Sequence, residues 1–310
     1  MSHPGTQIRK LLLHLLLLQS TFCLSQDYEW WNVKHNWDGV TPWRRYIILS
    51  PAYLGPNALP VPDIKDGALT PGAHFEFSLE RHFSNGDKTE NLYTKLFIPL
   101  FSDRVGLNSW IVPLEHYKMD TLTRDIRRAR DFDGEGFSGG DFYIGTYIQL
   151  VKGHKHIPDI LITLNMKTAS GTQLAAARFT DSPGYFLDMS VGKEIPVNRA
   201  VLKSLRPYVM IGFYSWQVTD KDIQQDDALL YGAGLNMLFS KMELINSWGG
   251  YRGFLNNGDR PMVYRVILQT KRQEKVNYKL MFQRGLNDFS YTTLSIGCRF
   301  ILPDFLAAPK

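Results

Sequence analysis

The sequence has little cysteine, no long apolar run and no excess of one charge. Its 310 residues include 2 cysteines, 35 Lys and Arg residues and 30 Asp and Glu residues. So few cysteines exclude a disulfide-stapled scaffold, and the near balance of charge gives no basis for expecting nucleic acid as a partner. No stretch approaches the roughly 20 apolar residues that a membrane-spanning helix needs. The sequence therefore excludes a polytopic helical membrane protein.

The most apolar run, residues 11–18, lies close to the N-terminus and predicts an export signal. Basic residues precede it and small residues follow it, which is the three-part pattern of a secretory signal peptide. We expect this signal peptide to cover residues 1–25. Acylation of Cys23, as in a lipoprotein, is the alternative, and the bulky Phe22 before it disfavours that alternative. After cleavage only Cys298 remains, so no intrachain disulfide can form.

From residue 73 onward, apolar and polar side chains alternate with a period of two. In residues 73–83, Phe75, Phe77 and Leu79 share one face, whereas the histidines and glutamates share the other. Successive side chains of a strand leave opposite faces of a sheet, so this alternation predicts β-structure. Strands are predicted over residues 73–83, 91–101, 107–117, 140–152, 158–169, 184–194, 204–216, 228–239, 242–248, 262–272, 275–285 and 290–302.

The predicted connections alternate between short and long. Short links at 240–241 and 273–274 alternate with longer ones such as 118–139 and 170–183, and the link at 84–90 belongs to the second class. Outer-membrane barrels are threaded in this way, with tight periplasmic turns and longer external loops. The sequence therefore predicts an all-β fold, an antiparallel transmembrane β-barrel of about 12 strands. A soluble β-sandwich also alternates and is the competing interpretation.

Aromatic residues near the predicted strand ends favour the membrane barrel, because interfacial girdles are typical of such barrels. The residues assigned to these girdles are Tyr46, Phe83, Phe101, Trp110, Tyr185, Trp216, Trp248 and Tyr291. Glycine pairs such as Gly249-Gly250 are interpreted as turn chemistry, not as a nucleotide-binding loop.

Two stretches carry a resemblance to a known class of proteins. They are residues 50–62 (SPAYLGPNALPVP) and residues 140–171, which begin with GDFYIG and end with KTASG. With the signal peptide, they resemble uncharacterised outer-membrane β-barrel proteins of Bacteroidota-type bacteria. The pattern of strands and turns also resembles that of barrels grouped with transporters for aromatic degradation. The resemblance implies a barrel in the outer membrane of a Gram-negative bacterium and carries no catalytic residue across.

Residues 26–72 differ from the rest of the chain, since they hold four tryptophans and six prolines. That proline density excludes a central strand or a helix. Two interpretations remain open: a periplasmic or plug-like segment, or a linker that wraps the base of the barrel. The domain assignment is then the signal peptide at 1–25, this segment at 26–72, the barrel at 73–302 and a C-terminal tail at 303–310.

The polar strand faces supply the candidate lumen and binding residues. They are His74, Glu76, Glu80, His82, Lys95, Lys167, Asp188, Arg265, Lys279 and Arg299. The stripe at residues 74–82 has side chains about 6.6–7 Å apart that could bind a cation or relay protons, and an ordinary polar lumen is the alternative. Ser78 lies about 13 Å along the strand from each flanking histidine, too far for a catalytic dyad. No enzyme activity, metal or cofactor is predicted.

The fold and the near balance of inward charges together lead to a functional hypothesis. A barrel of about 12 strands is narrower than a porin of 16–18 strands. We therefore expect a narrow channel or a substrate-specific transporter with a partly occluded lumen. The alternative is a non-conducting binding or scaffold barrel in an envelope complex. The expected partners are outer-membrane lipid and lipopolysaccharide, an unknown small solute, and possible envelope proteins.

Overall fold

The computed structural model describes residues 27–100, 102–197, 199–219, 222–271 and 275–303. The predicted signal peptide lies outside these residues, as does the C-terminal tail beyond residue 303. The chain divides into two compact units, residues 1–40 and residues 41–310. The first unit contains helix α1 (Glu29–Lys34), and the ring of Trp31 lies 5.2 Å from the ring of His35, just after the helix. The expectation that residues 26–72 contain no helix is therefore wrong for this stretch, because the first proline of the segment is Pro42.

The second unit is built from β-strands. The long strands and two short ones are β1 (His74–Ser84), β2 (Asp87–Pro99), β3 (Val105–Met119), β4 (Glu135–Ser138), β5 (Tyr143–Val151), β6 (Asp159–Lys167), β7 (Gly184–Gly192), β8 (Ile195–Pro196), β9 (Leu202–Gln217), β10 (Gln225–Phe239), β11 (Met242–Gly253), β12 (Met262–Thr270), β13 (Val276–Asn287) and β14 (Thr292–Ile301).

Twelve long strands form a closed ring. Each long strand pairs antiparallel with the next along the chain, and β14 pairs antiparallel with β1 to close the sheet. The short strands β4 and β8 add only to β3 and β9. Closure leaves no edge strand, which is what a sheet surrounded by lipid requires. The predicted all-β fold, an antiparallel barrel of about 12 strands, is confirmed.

Helical structure in this unit is short. Helix α2 (Thr121–Ile126) begins after Asp120, whose carboxylate accepts a hydrogen bond from the backbone N–H of Thr123 at 2.8 Å. Turns of 3-10 helix occur at Trp43–Tyr46 and Leu174–Ala176. Among the residues described, no helix combines the length and the apolar character needed to cross a membrane.

Side chains alternate between an apolar outer face and a buried inner face. On β1, Leu79 is 55% exposed, whereas Glu76 and His82 are each 4% exposed. On β14, Ile296 is 61% exposed and Thr293 is 1% exposed. Large apolar side chains thus face outward, and the strands pair the backbone N–H and C=O groups with one another. A barrel that faces lipid requires both features.

The two ends of the barrel differ in their connections. At one end, here called the turn end, short links such as 152–158 and 240–241 join the strands, and β1 begins there. At the other, here called the loop end, longer links include 168–183 and 254–261. The predicted link at 84–90 is instead the turn Asn85-Gly86 at the loop end, because β2 already begins at Asp87. Gly86 has a φ of +82°, which this tight hairpin requires.

Three of the predicted girdle residues lie inside the barrel. Trp216 and Tyr291 are each 1% exposed, and Trp110 stacks on the inward ring of Tyr143 with 4.6 Å between ring centroids. Tyr185 and Trp248 do face outward, at 46% and 42% exposure. The prediction failed for the first three because it assumed a polar interior along the whole strand, whereas part of this interior is apolar.

Candidate functional site

Residues 41–72, here called the inner segment, enter the barrel at the loop end. The Thr219 hydroxyl, in the β9–β10 connection, donates a hydrogen bond to the carbonyl of Arg44 at 3.1 Å. The indole N–H of Trp216, at the end of β9, donates to the carbonyl of Leu49 at 3.2 Å. Both contacts place residues 44–49 beside the long connections.

The inner segment leaves the barrel at the turn end. The Arg206 guanidinium, near the start of β9, donates a hydrogen bond to the carbonyl of Asp66 at 2.9 Å. The Gln149 amide, near the end of β5, donates to the carbonyl of Gly67 at 2.7 Å. The chain then continues into β1 at His74. The inner segment therefore passes through the full depth of the barrel.

Within the barrel the inner segment has neither helix nor strand from Ile47 to Gly72. Its prolines prevent regular pairing, so barrel side chains satisfy its carbonyl groups instead. The Tyr251 hydroxyl donates to the carbonyl of Leu59 at 2.8 Å, and Arg265 donates to that of Val61 at 3.1 Å. Buried backbone groups are expected to be paired in this way.

The half of the lumen next to the loop end contains the larger apolar cluster of the barrel. Leu54 and Ala58 of the inner segment are fully buried, and Leu59 is 2% exposed. The barrel residues buried in the same cluster include Tyr143, Phe186, Met210, Tyr214, Trp216, Ala228, Leu230, Tyr251 and Val263. Apolar burial of this kind is the main stabilising term in protein interiors, so this half of the inner segment is firmly held.

Two glycines of the barrel make room for Ile64 of the inner segment. A Cβ atom added to Gly232 on β10 would lie 2.6 Å from Cδ1 of Ile64, and one added to Gly249 on β11 would lie 2.5 Å from the same atom. Real Cβ atoms essentially never come this close, so a side chain added at either position would displace Ile64. The Gly249-Gly250 pair, predicted as turn chemistry, therefore lies inside β11, where the inner segment approaches closely.

A buried ionic network, here called the loop-end network, ties the long connections to the barrel. Arg178, in the β6–β7 connection, donates to Glu115 at 2.8 Å, to Asp87 at 2.7 Å and to the Thr89 hydroxyl at 2.7 Å. The side chains of this arginine and of both carboxylates are fully buried. Asn57 of the inner segment joins the network by donating to Glu115 at 2.7 Å.

A second arginine and a tyrosine complete the loop-end network. Arg127, just after α2, donates to Asp87 at 2.6 Å and to the hydroxyl of Tyr291 at 2.7 Å. That hydroxyl donates in turn to Asp87 at 2.6 Å. Burial opposes the charge on Arg178, but Glu115 and Asp87 hold the pKa of its guanidinium above the ordinary value. The network holds two connections over the lumen.

A small cavity of about 130 Å³ lies deeper in the lumen, beside the inner segment. Asp63 faces it with 60% of its side chain exposed. Its two carboxylate oxygens face different cations: Lys95 lies 3.4 Å from one, and Arg265 lies 3.3 Å from the other. Lys279 also lines the cavity. The lining thus combines these charged groups with aromatic rings of the apolar cluster, such as Tyr143 and Phe186.

The structure brings several predicted lumen residues together around Glu76. This carboxylate lies beside Arg299, which donates to it at 2.6 Å, and Lys279 lies 3.7 Å away. Lys167 pairs with Asp141 at 2.7 Å. These predicted residues are held in ion pairs across neighbouring strands and connections.

The predicted stripe on β1 does not form one site. His74 stacks on Phe97 with 5.1 Å between ring centroids, whereas His82 contacts Thr293 at 2.8 Å and Asn91 at 2.6 Å. Glu80 accepts a hydrogen bond from the Asn91 amide at 3.1 Å. The two histidines lie about 26 Å apart along the strand and have separate partners.

Asp188, also predicted from its inward position, pairs with a residue that sequence reasoning missed. Its carboxylate accepts from Lys65 of the inner segment at 2.7 Å and from the Thr163 hydroxyl at 2.7 Å. Asp63, likewise from the inner segment, and Arg178, from a connection, were also missed. Lys65, Asp63 and Arg178 lie outside the strands with alternating apolar and polar residues. The alternation that identified the other lumen residues therefore could not identify these three.

The comparisons with known proteins concern the fold. A scan against protein-family models and a search of curated proteins found no match. Among solved structures, an outer membrane channel from Pseudomonas putida F1 aligns with a TM-score of 0.52 and 13% identity, covering 78% of this chain and all of that chain. At that identity the likeness shows a shared outer-membrane barrel fold.

Two porin structures are also similar over most of the chain. The structure titled KdgM porin aligns with a TM-score of 0.44 and 10% identity, covering 74% of this chain and 99% of that chain. The NanC porin aligns with a TM-score of 0.45 and 10% identity, covering 73% of this chain and 100% of that chain.

Proposed function

We propose that this chain is a narrow outer-membrane channel for a small solute, closed at rest by its inner segment. The loop end faces the outside and the turn end faces the periplasm, as in other barrels with this asymmetry of connections. The observation that carries the proposal is the ionic character of the contacts that hold residues 63–66 beside the lumen cavity. The stretch from Leu54 to Leu59 is packed in the larger apolar cluster instead.

Polar contacts suit a part of the inner segment that must move. Lys65 and Asp66 are held by an ion pair and by hydrogen bonds to Asp188, Arg206 and Asn236, at 2.7–2.9 Å. Water can take over such hydrogen bonds when they open, and each bond to a charged group contributes about 1.5–3 kcal/mol net. Water cannot replace apolar contacts in the same way. Movement of residues 63–70 would join the cavity to the turn end while residues 54–59 stay in place. This movement also takes Leu69 out of its small apolar cluster with Phe97 and Leu161.

A non-conducting binding or scaffold barrel is the second candidate, and the filled apolar half of the lumen favours it. A permanently packed lumen would pass no solute and would serve to stabilise the barrel. Contacts with lipopolysaccharide and with envelope proteins would then matter more than the lumen. These partners, and the bacterial group suggested by the sequence, stay predictions.

The Lys65→Met variant separates these two functions. It removes the ion pair with Asp188, which is 2.7 Å long and almost fully buried. Losing one partner of a buried pair weakens the resting position, so we expect openings in a planar lipid bilayer to become several-fold more frequent than in the wild type.

Lys155→Met is the matched control, because Lys155 is an exposed residue of the 152–158 turn. We expect it to open as rarely as the wild type. A Lys65→Met protein that folds and inserts but remains silent would contradict the channel and support the scaffold barrel.

A further inference from the structure

We infer that the lumen cavity is a binding site for the carboxylate of a small organic acid. In the absence of this ligand, the carboxylate of Asp63 occupies the site. The inference deepens the proposed function, since it names a class of solute for the same lumen. It stands on the arrangement of charged groups around the cavity.

The first step is the geometry at Asp63. Its two oxygens are approached from two strands, by Lys95 on β2 and by Arg265 on β12. These strands are not neighbours in the ring. The lumen thus presents cations to a carboxylate from two directions, and contacts between a cation and a carboxylate are among the strong polar interactions of proteins.

The second step is the balance of charge around the cavity. The cations that line it are Lys65, Lys95, Arg265 and Lys279. The carboxylates that line it are Asp63, Glu80 and Asp141. Asp141 is paired with Lys167 outside the lining, and Glu80 is bonded to Asn91. Asp63 is therefore the carboxylate that faces the cationic side.

The third step is the dependence of Lys95 on Asp63. Among the described residues, the ion pair that Lys95 forms within 4 Å is with Asp63 alone. Lys279 and Lys65 have further partners in Glu76 and Asp188. Without the Asp63 carboxylate, Lys95 would keep a charge at a mostly buried position, where Glu76, opposite it in the β1–β2 register, is already paired with Arg299 and Lys279. A bound anion would restore the lost ion pair.

The fourth step is the mobility of the occupant. The Asp63 side chain is 60% exposed to the cavity, and its contacts of 3.3–3.4 Å are longer than a good charged hydrogen bond. Arg265, in contrast, is fixed by Gln283 at 2.8 Å and by the carbonyl of Val61 at 3.1 Å. A solute carboxylate can therefore replace that of Asp63 against a preformed cationic side.

Replacing Asp63 tests the site without any measurement of conductance. In detergent-purified Asp63→Ala protein, sodium acetate should raise the unfolding temperature by a few degrees, since a ligand that binds the folded state stabilises it. We expect a much smaller effect in the wild type, where Asp63 competes. Acetamide, and sodium chloride at equal ionic strength, should not reproduce the acetate effect. Asp63→Asn gives the same comparison with a side chain of unchanged size.

Two double variants locate the binding. Asp63→Ala with Lys95→Met should lose the acetate response, whereas Asp63→Ala with Lys155→Met should keep it. An equal response to chloride, no response in either Asp63 variant, or a response that survives Lys95→Met would overturn the inference. If acetate stabilises the Asp63 variants but the protein never conducts, the carboxylate site is supported and the channel function is contradicted. If the protein conducts but acetate does not stabilise the Asp63 variants, the channel function is supported and the carboxylate site is contradicted.

Discussion

Arg178→Met is expected to lower the free energy of unfolding by about 3–5 kcal/mol, the usual cost of removing one member of a buried ionic network. Arg178 makes three hydrogen bonds, each 2.7 or 2.8 Å long, to Glu115, Asp87 and Thr89. Its loss leaves Glu115 buried with no arginine partner. Urea unfolding in detergent micelles, followed by tryptophan fluorescence, measures the change.

Two further variants sharpen this prediction. Arg178→Lys keeps the charge, but one ammonium group cannot reproduce the arginine's planar set of donors, so an intermediate loss is expected. Arg199→Met removes an exposed arginine near the turn end and should change stability by no more than about 0.5 kcal/mol. A loss below about 1 kcal/mol in Arg178→Met would show that the loop-end network does not hold the connections in place.

The course of the inner segment predicts an all-or-none difference in labelling on intact cells. Arg45 is exposed and lies beside the loop-end connections, whereas Lys155 is exposed at the turn end. In a Cys298→Ser background, Arg45→Cys should react with a membrane-impermeant maleimide on intact cells. Lys155→Cys should react only after the outer membrane has been permeabilised.

These two labelling results decide which end of the barrel faces the outside of the cell. If Lys155→Cys reacts on intact cells and Arg45→Cys does not, the barrel is inserted the other way round. If both sites require permeabilisation, residues 43–49 do not reach the outer face. Either result would contradict the proposal that the inner segment runs from the outside to the periplasm.

The strands could be predicted from the sequence because each is a local pattern. Alternation along β1 and β14 fixes which side chains face lipid, and the lengths of the connections fix which strands are neighbours. The closed ring follows from those two facts. The β1–β2 link was placed wrongly because the polar residues Asp87–Glu90 continue the strand beyond the apolar face.

The contents of the lumen could not be predicted in the same way. Apolar and polar residues do not repeat at a regular interval in the inner segment. Its partners in the barrel also lie far away in sequence, as Glu115 does from Asn57 and Asp188 from Lys65. Trp216 lies near the end of a predicted strand, a position that favours an interfacial girdle. It lies inside because an apolar segment is present there to cover it.

The central claim is that residues of the inner segment must move for the barrel to conduct, and a disulfide lock tests it most directly. A Cβ atom on Gly232 would lie 2.8 Å and 2.9 Å from the two γ carbons of Ile64. Cysteines at both positions are therefore close enough for their sulfur atoms to bond. The variant Ile64→Cys with Gly232→Cys, in a Cys298→Ser background, can then be compared oxidised and reduced in one bilayer.

We expect no openings from the oxidised protein and recovery of wild-type openings after reduction. Ile64→Cys alone, in the same background, should be indifferent to the reductant. Identical openings before and after reduction of a verified disulfide would contradict the claim, because solute would then pass while the inner segment is fixed to β10.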